Sequence, residues 1–178
     1  MNAMKRILIK YGIITGVFII LFIIFYYTVF YPLLIKNSEY CSLGLIGLLG
    51  SFITTFFGVM EYREKINNRF ISFKKAFYIG LLISLIGITL YLLYFTFDYH
   101  FMHPSLLERE IAFQTRPERI EELSKLKDHA AIDHINEYKA NYSKPLYFIY
   151  YTVSEFIPFA FFMSFVSALV LKRKPKNM

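Results

Sequence analysis

Four long apolar runs dominate the pattern of hydrophobic and polar positions along the chain. They cover about residues 7–30, 43–60, 77–97 and 146–171, and polar residues do not recur in them at every third or fourth position. A helix that rises about 1.5 Å per residue needs about 20 residues to cross a hydrocarbon core of about 30 Å. In that core each backbone amide needs a partner within its own segment, so each run is predicted to be a helix. The predicted fold class is all-α, an integral membrane four-helix transmembrane bundle.

The one long polar segment lies between the third and fourth runs, at about residues 99–144. Thr115-Arg-Pro-Glu118 has the spacing of a capping box with proline in the first helical turn. Glu121 and Lys125 then form a favourable pair four residues apart. We therefore predict a helical loop outside the membrane, with a helix that runs to about Ala140, and a single membrane domain over residues 1–178.

The distribution of basic residues predicts the orientation, because lysine and arginine accumulate in the short cytoplasmic segments of membrane proteins. The bases fall at the N-terminus, between runs two and three, and in the tail. They are Lys5, Arg6 and Lys10, then Arg63, Lys65, Arg69, Lys74 and Lys75, and finally Lys172, Arg173, Lys174 and Lys176. If the helices alternate in direction, all three groups lie on one side. Both termini are therefore predicted to be cytoplasmic.

The composition agrees with a membrane protein, and the net positive charge is located next to the apolar runs. Apolar residues make up 56% of the chain, against about 45–50% in an average globular domain. The net charge of +7 belongs to segments that border hydrocarbon, which favours anionic inner-leaflet lipids over nucleic acid as partners. Cys41 is the only cysteine, so an intrachain disulfide and a cysteine-based metal site are both excluded.

Small residues recur three or four positions apart in the apolar runs, where they let helices approach closely. Those predicted to lie at helix contacts are Gly12, Gly16, Gly47, Gly80 and Ser84. The pattern predicts a compact bundle. It leaves open whether the contacts are made within one chain, in a homo-oligomer or with another membrane protein.

The segment between runs two and three carries a resemblance to a known family. It reads Glu61-Tyr62-Arg63-Glu64, then Asn67-Asn68, then Ile71-Ser72-Phe73-Lys74-Lys75-Ala76-Phe77. With Gly80 and Ser84 in the next helix, an early glycine in the first and His103-Pro104 after the third, this resembles the domain-of-unknown-function 4199 family. The resemblance covers nearly the whole chain, but only this segment is specific.

That family consists of small bacterial four-helix membrane proteins without an established activity. The resemblance therefore implies a multi-pass protein of the bacterial cytoplasmic membrane, and it supplies no catalytic residues. This chain departs from the family at one point in the loop. The glycine that the family usually carries before Ile71 corresponds to Arg69 or Phe70 here.

Glu155 is the one acid inside the fourth run. Acids within a membrane usually face the bundle and mark ion, proton or ligand sites. Its expected neighbours by depth are Ser51, Thr89 and Tyr91, and Tyr94 and Tyr151 could line an outward-opening cavity above it. Two simpler interpretations stay open: a buried, protonated carboxyl that only stabilises the bundle, and tyrosines that form an interfacial belt.

Four histidines lie on the outer side, and His100 and His103 form a spaced pair after Asp98. Imidazoles with a carboxylate can bind zinc or copper. The spacing matches no strong metal motif, so solvated histidines are the favoured interpretation and no cofactor is expected. No nucleophile triad, phosphate-binding glycine loop or zinc-protease motif is present either. An enzyme is therefore not expected.

Two functional hypotheses follow from these patterns. The first is a non-enzymatic accessory or envelope factor of the membrane that acts through helix and lipid contacts. The second is a small transporter or ligand-binding membrane protein that uses Glu155 as its intramembrane carboxylate.

Overall fold

A computed structural model describes residues 3–30, 47–102, 115–126, 129–141 and 144–173, with Glu108 and Ala112 in addition. Over these residues the chain is helical and contains no strand. The helices are α1 (Ala3–Phe25), α2 (Ile53–Lys65), α3 (Phe73–Phe97), α4 (Pro117–Lys125), α5 (His129–Asn141) and α6 (Pro145–Leu171). One π-helical turn, Tyr26–Phe30, continues α1 and another, Asp98–Met102, continues α3.

Three helices are long and apolar enough to cross a membrane. They are Ala3–Phe25, Phe73–Phe97 and Ile149–Leu171, which match three of the four predicted runs. Large apolar side chains are exposed along all three, among them Phe18, Leu93 and Phe162. Soluble proteins rarely expose contiguous apolar surface on this scale. The chain therefore has three helices that could span a membrane, as three of its apolar runs predict.

The second predicted run has a different structure from the other three. Residues 47–51 are helical, the helix breaks at Phe52, and α2 follows with 13 residues. A helix of that length spans only about 20 Å. The start of the run, residues 43–46, lies outside the described part of the chain. A fourth crossing therefore stays a prediction.

The chain divides into two compact units, Met1–Leu93 with Glu155–Met178, and Tyr94–Ser154. The first unit has a continuous apolar core to which α1, α2, α3 and α6 all contribute. Its buried members are Ile7, Leu8, Val59, Tyr62, Ile71, Ala76, Ile79, Ile83, Ala168 and Leu171. These side chains lie near the N-terminal ends of α1 and α3 and the C-terminal ends of α2 and α6, so those four helix ends are held together.

Glycines sit where the helices of the first unit approach most closely. A Cβ built on Gly16 would lie 3.1 Å from the carbonyl oxygen of Gly87, and one built on Gly12 would overlap Ile86. A Cβ on Gly80 would lie 3.1 Å from Cβ of Ser164. These contacts join α1 to α3 and α3 to α6. A Cβ on Gly47, before the break at Phe52, would overlap the Phe22 ring.

Buried hydroxyls link α2 to α1 and to α3. The Oγ1 atoms of Thr15 and Thr54 are 2.6 Å apart, and Oγ1 of Thr55 lies 3.1 Å from Oγ of Ser84. Thr15, Thr55 and Ser84 are fully buried. Interhelical hydrogen bonds of this kind help to hold membrane helices together, because lipid removes the hydrophobic effect between them.

The second unit contains the helical segment predicted for the long polar loop. Helix α4 begins at Pro117, inside the predicted capping box, and Glu121 pairs with Lys125 at 2.7 Å as its sequence spacing indicates. The predicted single helix to about Ala140 is instead two helices, α4 and α5. Ile135 of α5 is buried. The sequence Ser105-Leu-Leu-Glu108 has capping-box spacing too, and Ser105 lies outside the described residues.

Candidate functional site: the basic end of the first unit

One carboxylate joins α1 to α2 at the end of the first unit where the basic residues collect. Oε2 of Glu61 accepts hydrogen bonds from Nζ of Lys10 at 2.7 Å and from the Tyr11 hydroxyl at 2.6 Å. Its other oxygen, Oε1, accepts one from Nζ of Lys65 at 3.1 Å. The Glu61 side chain is only 16% exposed, whereas that of Lys10 is 49% exposed. The acid is thus enclosed by its donors, and the lysines face outward.

These donors hold Glu61 ionised. The hydrogen bond from Lys10, then those from Tyr11 and Lys65, lower the pKa of Glu61 to about 2, although partial burial opposes the shift. At neutral pH the carboxylate therefore neutralises part of the charge of the two lysines. Its role at this end of the unit is structural, since each of its oxygens already has a donor.

The loop from α2 to α3 is held in one conformation by its own side chains. Asn68 and Arg69 have φ angles of 48° and 66°, in the left-handed region. The Asn67 side-chain amide donates to the carbonyl oxygen of Phe70, and Nζ of Lys75 donates to Oδ1 of Asn67 at 3.1 Å. Arg69 thus adopts the backbone conformation that favours glycine, the residue that the resemblance places in this part of the loop.

Two contacts tie the end of α6 to this loop. Ile71 and Arg173 exchange both backbone hydrogen bonds, at 3.1 and 2.9 Å, as an isolated antiparallel bridge. Nη1 of Arg63 donates to the carbonyl oxygen of Leu171 at 3.2 Å. Ile71 is 2% exposed and belongs to the apolar core. The loop and the end of the last helix therefore form one platform anchored in the core.

The start of α3 completes the platform. Oγ of Ser72 accepts a hydrogen bond from the backbone N–H of Lys75 at 3.3 Å, which caps the first turn. Nζ of Lys75 also lies 5.0 Å from the centre of the Tyr62 ring, a cation–π contact. The Phe73 ring packs edge-on against Phe165 of α6. The residues that carry the family resemblance are thus the ones that build this loop.

The charges at this end do not balance. Its described residues include ten bases and two acids, a net charge of +8: Lys5, Arg6, Lys10, Arg63, Lys65, Arg69, Lys74, Lys75, Lys172 and Arg173 against Glu61 and Glu64. Glu64 is engaged by Arg63 at 2.6 Å and by Arg69 at 3.5 Å. Lys74, Lys172 and Arg173 are exposed and form no ion pair with an acid in the described ranges. We call the surface formed by these ten bases the basic end.

A family model described as "Protein of unknown function (DUF4199)" matches residues 10–173, which is most of the chain. The chain belongs to the DUF4199 family. The sequence resemblance to this family is thereby confirmed. No curated protein and no solved structure matches the chain. Membership of the family assigns no activity to the basic end, so its chemistry rests on the geometry above.

The structure describes Glu155 and several of the residues predicted to lie near it. Glu155 lies on α6, and its side chain is exposed. Thr89 is also exposed and donates to Leu85 within its own helix at 2.9 Å. Tyr91 is buried and stacks on the neighbour of Glu155, Phe156, with ring centres 5.0 Å apart. A ligand site at Glu155 stays a prediction.

The remaining predicted site residues belong to the second unit. Tyr94 is half-buried, and Tyr151 stacks on His134 with ring centres 5.9 Å apart. His100 lies in the π-helical turn after α3, its side chain is not described, and His103 lies outside the described residues. Within the described part of the chain, no three histidines, cysteines or acids come together as a metal site.

Proposed function

We propose that this protein is a non-enzymatic accessory factor of the bacterial cytoplasmic membrane, with both termini in the cytoplasm, that acts through helix and lipid contacts. The observation that carries the proposal is the basic end. It bears a net charge of +8 beside helices long and apolar enough to cross a bilayer. Lysine and arginine in short segments favour the cytoplasmic side, and the anionic inner leaflet attracts each of them by about 1 kcal/mol.

The ion pairs at the basic end support a role of its bases in binding lipid over a purely structural role. Both acids of the basic end are already engaged, Glu61 by Lys10 and Lys65, and Glu64 by Arg63 and Arg69. The excess charge is therefore left for a partner. Phospholipid phosphates are the anions nearest to a helix end at the membrane surface, and they need no further protein to supply them.

Native mass spectrometry from nanodiscs tests this function. The protein is released from nanodiscs that contain equal amounts of phosphatidylglycerol and phosphatidylcholine. The lipid that stays bound to it should be mainly phosphatidylglycerol. In a variant with Lys5, Arg6, Lys74 and Lys172 replaced by glutamine, the ratio of bound phosphatidylglycerol to bound phosphatidylcholine should fall by about tenfold or more. The reason is that each base near the surface contributes about 1 kcal/mol. All four residues are exposed in the first unit.

The matched control removes four bases from the second unit, Arg116, Lys125, Lys139 and Lys144, again by glutamine. It should retain phosphatidylglycerol as the wild type does. An equal loss in both variants, or no preference in the wild type, would show that the basic end does not select anionic lipid.

A further inference from the structure

The basic end contains a smaller set of charges whose spacing is fixed by the backbone. Lys172 and Arg173 follow directly after α6, and Arg173 is bridged to Ile71 by two backbone hydrogen bonds. In such a pair the Cα atoms lie about 5.5 Å apart. Lys74 lies three residues after Ile71, in the first turn of α3. The bridge thus brings together bases from two segments that are about a hundred positions apart in sequence.

The backbone that carries these bases is supported by a buried residue and by hydrogen bonds. Ile71 is fixed in the apolar core, and Arg63 holds the carbonyl oxygen of Leu171. The Arg63 side chain is only 17% exposed, so it holds the end of α6 in place and is not available to bind a lipid headgroup. Lys75 is occupied by Asn67 and the Tyr62 ring. What remains on the exposed side is Lys74, Lys172 and Arg173.

Charge complementarity indicates the partner. The three bases together carry a charge of +3 that no acid in the described ranges offsets. A headgroup with one phosphate neutralises a third of that charge, whereas a lipid with two phosphates can contact both segments at once. Basic surfaces at the cytoplasmic ends of membrane helices bind such multiply charged lipids. Arginine suits phosphate in particular because its planar fork can donate two hydrogen bonds to it.

We propose that Lys74, Lys172 and Arg173 form a binding site for a phospholipid that carries two phosphates, with the Ile71–Arg173 bridge setting the spacing between the bases. This site rests on the proposed function, since it needs the basic end to face an anionic leaflet. It goes further in two ways. It selects one class of anionic lipid, and it depends on the geometry of the bridge as well as on charge.

Retention of cardiolipin, a diphosphate lipid, tests the site against phosphatidylglycerol, which has one phosphate. Nanodiscs contain the two lipids at equal phosphate content in phosphatidylcholine, and bound lipid is counted by native mass spectrometry. Wild-type protein should prefer cardiolipin. The K172Q/R173Q variant should lose that preference by about tenfold, because two bases are removed. The K5Q/R6Q variant removes the same charge elsewhere on the basic end and should keep the preference.

A second variant separates geometry from charge. Two glycines inserted between Leu171 and Lys172 keep every charged residue but move Arg173 out of register with Ile71. The cardiolipin preference should fall, while retention of phosphatidylglycerol over phosphatidylcholine stays at the wild-type level. Melting in detergent checks that the inserted variant remains folded, and K172Q/R173Q supplies the same test if it does not.

The outcomes distinguish the two proposals. Equal losses of the preference for cardiolipin over phosphatidylglycerol in K172Q/R173Q and K5Q/R6Q, with anionic lipid still preferred over phosphatidylcholine, would overturn the specific site and leave the proposed function standing. An inserted variant with an unchanged cardiolipin preference would also overturn it. Wild-type protein that retains neither anionic lipid over phosphatidylcholine would overturn both.

Discussion

The backbones of Gly16 in α1 and Gly87 in α3 are in direct contact. A Cβ on Gly16 would lie 3.1 Å from the Gly87 carbonyl oxygen, and a Cβ on Gly87 would lie 3.2 Å from the Gly16 nitrogen. Backbone atoms cannot move aside as the end of a flexible side chain can. In a bilayer, where apolar side chains gain nothing by leaving lipid, such close contact is a main source of helix association.

Replacing Gly16 by alanine is therefore expected to destabilise the first unit. The added methyl would also meet Cβ of Leu90 at 2.9 Å, and overpacking of this kind costs about 1–3 kcal/mol. Gly50→Ala is the matched control, because a Cβ there meets nothing within 4 Å. Thermal melting in detergent should show a lower midpoint for Gly16→Ala than for Gly50→Ala. Equal midpoints would mean that the α1–α3 contact is not tight.

The Thr15–Thr54 pair is expected to contribute to the contact between α1 and α2. The two Oγ1 atoms are 2.6 Å apart, and Thr15 is fully buried. A double-mutant cycle with Thr15→Val and Thr54→Val should give a coupling free energy of about 0.6 to 2 kcal/mol, the range for hydrogen bonds between membrane helices. Thr89→Val serves as the control because Thr89 bonds only within α3 and is exposed. A coupling near zero would contradict a hydrogen bond between the helices.

Glu61 is expected to make stability depend on pH in the acid range. Its pKa is lowered from 4.5 to about 2, so the folded state binds its proton less readily than the unfolded chain does. The contribution of Glu61 to stability is present above the pKa that its carboxyl has in the unfolded chain, and it is lost as pH falls from about 5 towards 2. Glu61→Gln should lower the free energy of unfolding at pH 7 by about 1.5–3 kcal/mol, the value of hydrogen bonds to a charged group.

The difference between wild type and Glu61→Gln should therefore shrink as pH falls through that window. Melting midpoints at pH 7, 5 and 3 in one detergent measure it. Glu121→Gln is the control, because Glu121 is in an exposed pair with Lys125 whose loss changes stability by at most about 1 kcal/mol. A Glu61→Gln deficit that is the same at all three pH values would argue against an ionised Glu61 held by Lys10 and Tyr11.

The sequence allowed three of the helices to be predicted within a few residues, and the physical reason is simple. Inside a bilayer a long apolar run has almost no alternative to a helix. The side-chain contacts between the helices could not be predicted in the same way. Glu61 and Lys10 are 51 positions apart, and no local pattern pairs them. The one local signal was the i,i+4 spacing of Glu61 and Lys65, which indicates a helical pair and not a shared carboxylate.

The loop shows the same limit at a finer scale. The residues Asn67, Asn68 and Arg69 do not by themselves indicate that Arg69 takes a left-handed φ of 66°, because arginine has no preference for it. The glycine that the family usually carries in this part of the loop is the signal for it. The bridge between Ile71 and Arg173 joins distant segments and also leaves no local signal. The accumulation of bases was visible in the sequence. Their assembly into one surface depends on tertiary contacts.

Glu155 provides a test of the alternative function, a transporter or ligand-binding protein. The proposed function makes no use of its side chain, which is exposed on α6. Glu155→Gln should therefore leave the retention of phosphatidylglycerol unchanged. A pH-dependent flux or binding signal in proteoliposomes that Glu155→Gln abolishes, at unchanged stability, would favour the alternative instead.

The central claim is that the basic end of this membrane protein lies in the cytoplasm, and site-specific labelling tests it most directly. In a Cys41→Ser background, Lys172→Cys marks the basic end and Leu126→Cys, which is 71% exposed as leucine, marks the second unit. A membrane-impermeant maleimide should label the Leu126→Cys variant in intact bacterial cells and the Lys172→Cys variant only after lysis. Labelling of Lys172→Cys in intact cells would contradict the orientation and, with it, the proposed binding of inner-leaflet lipid.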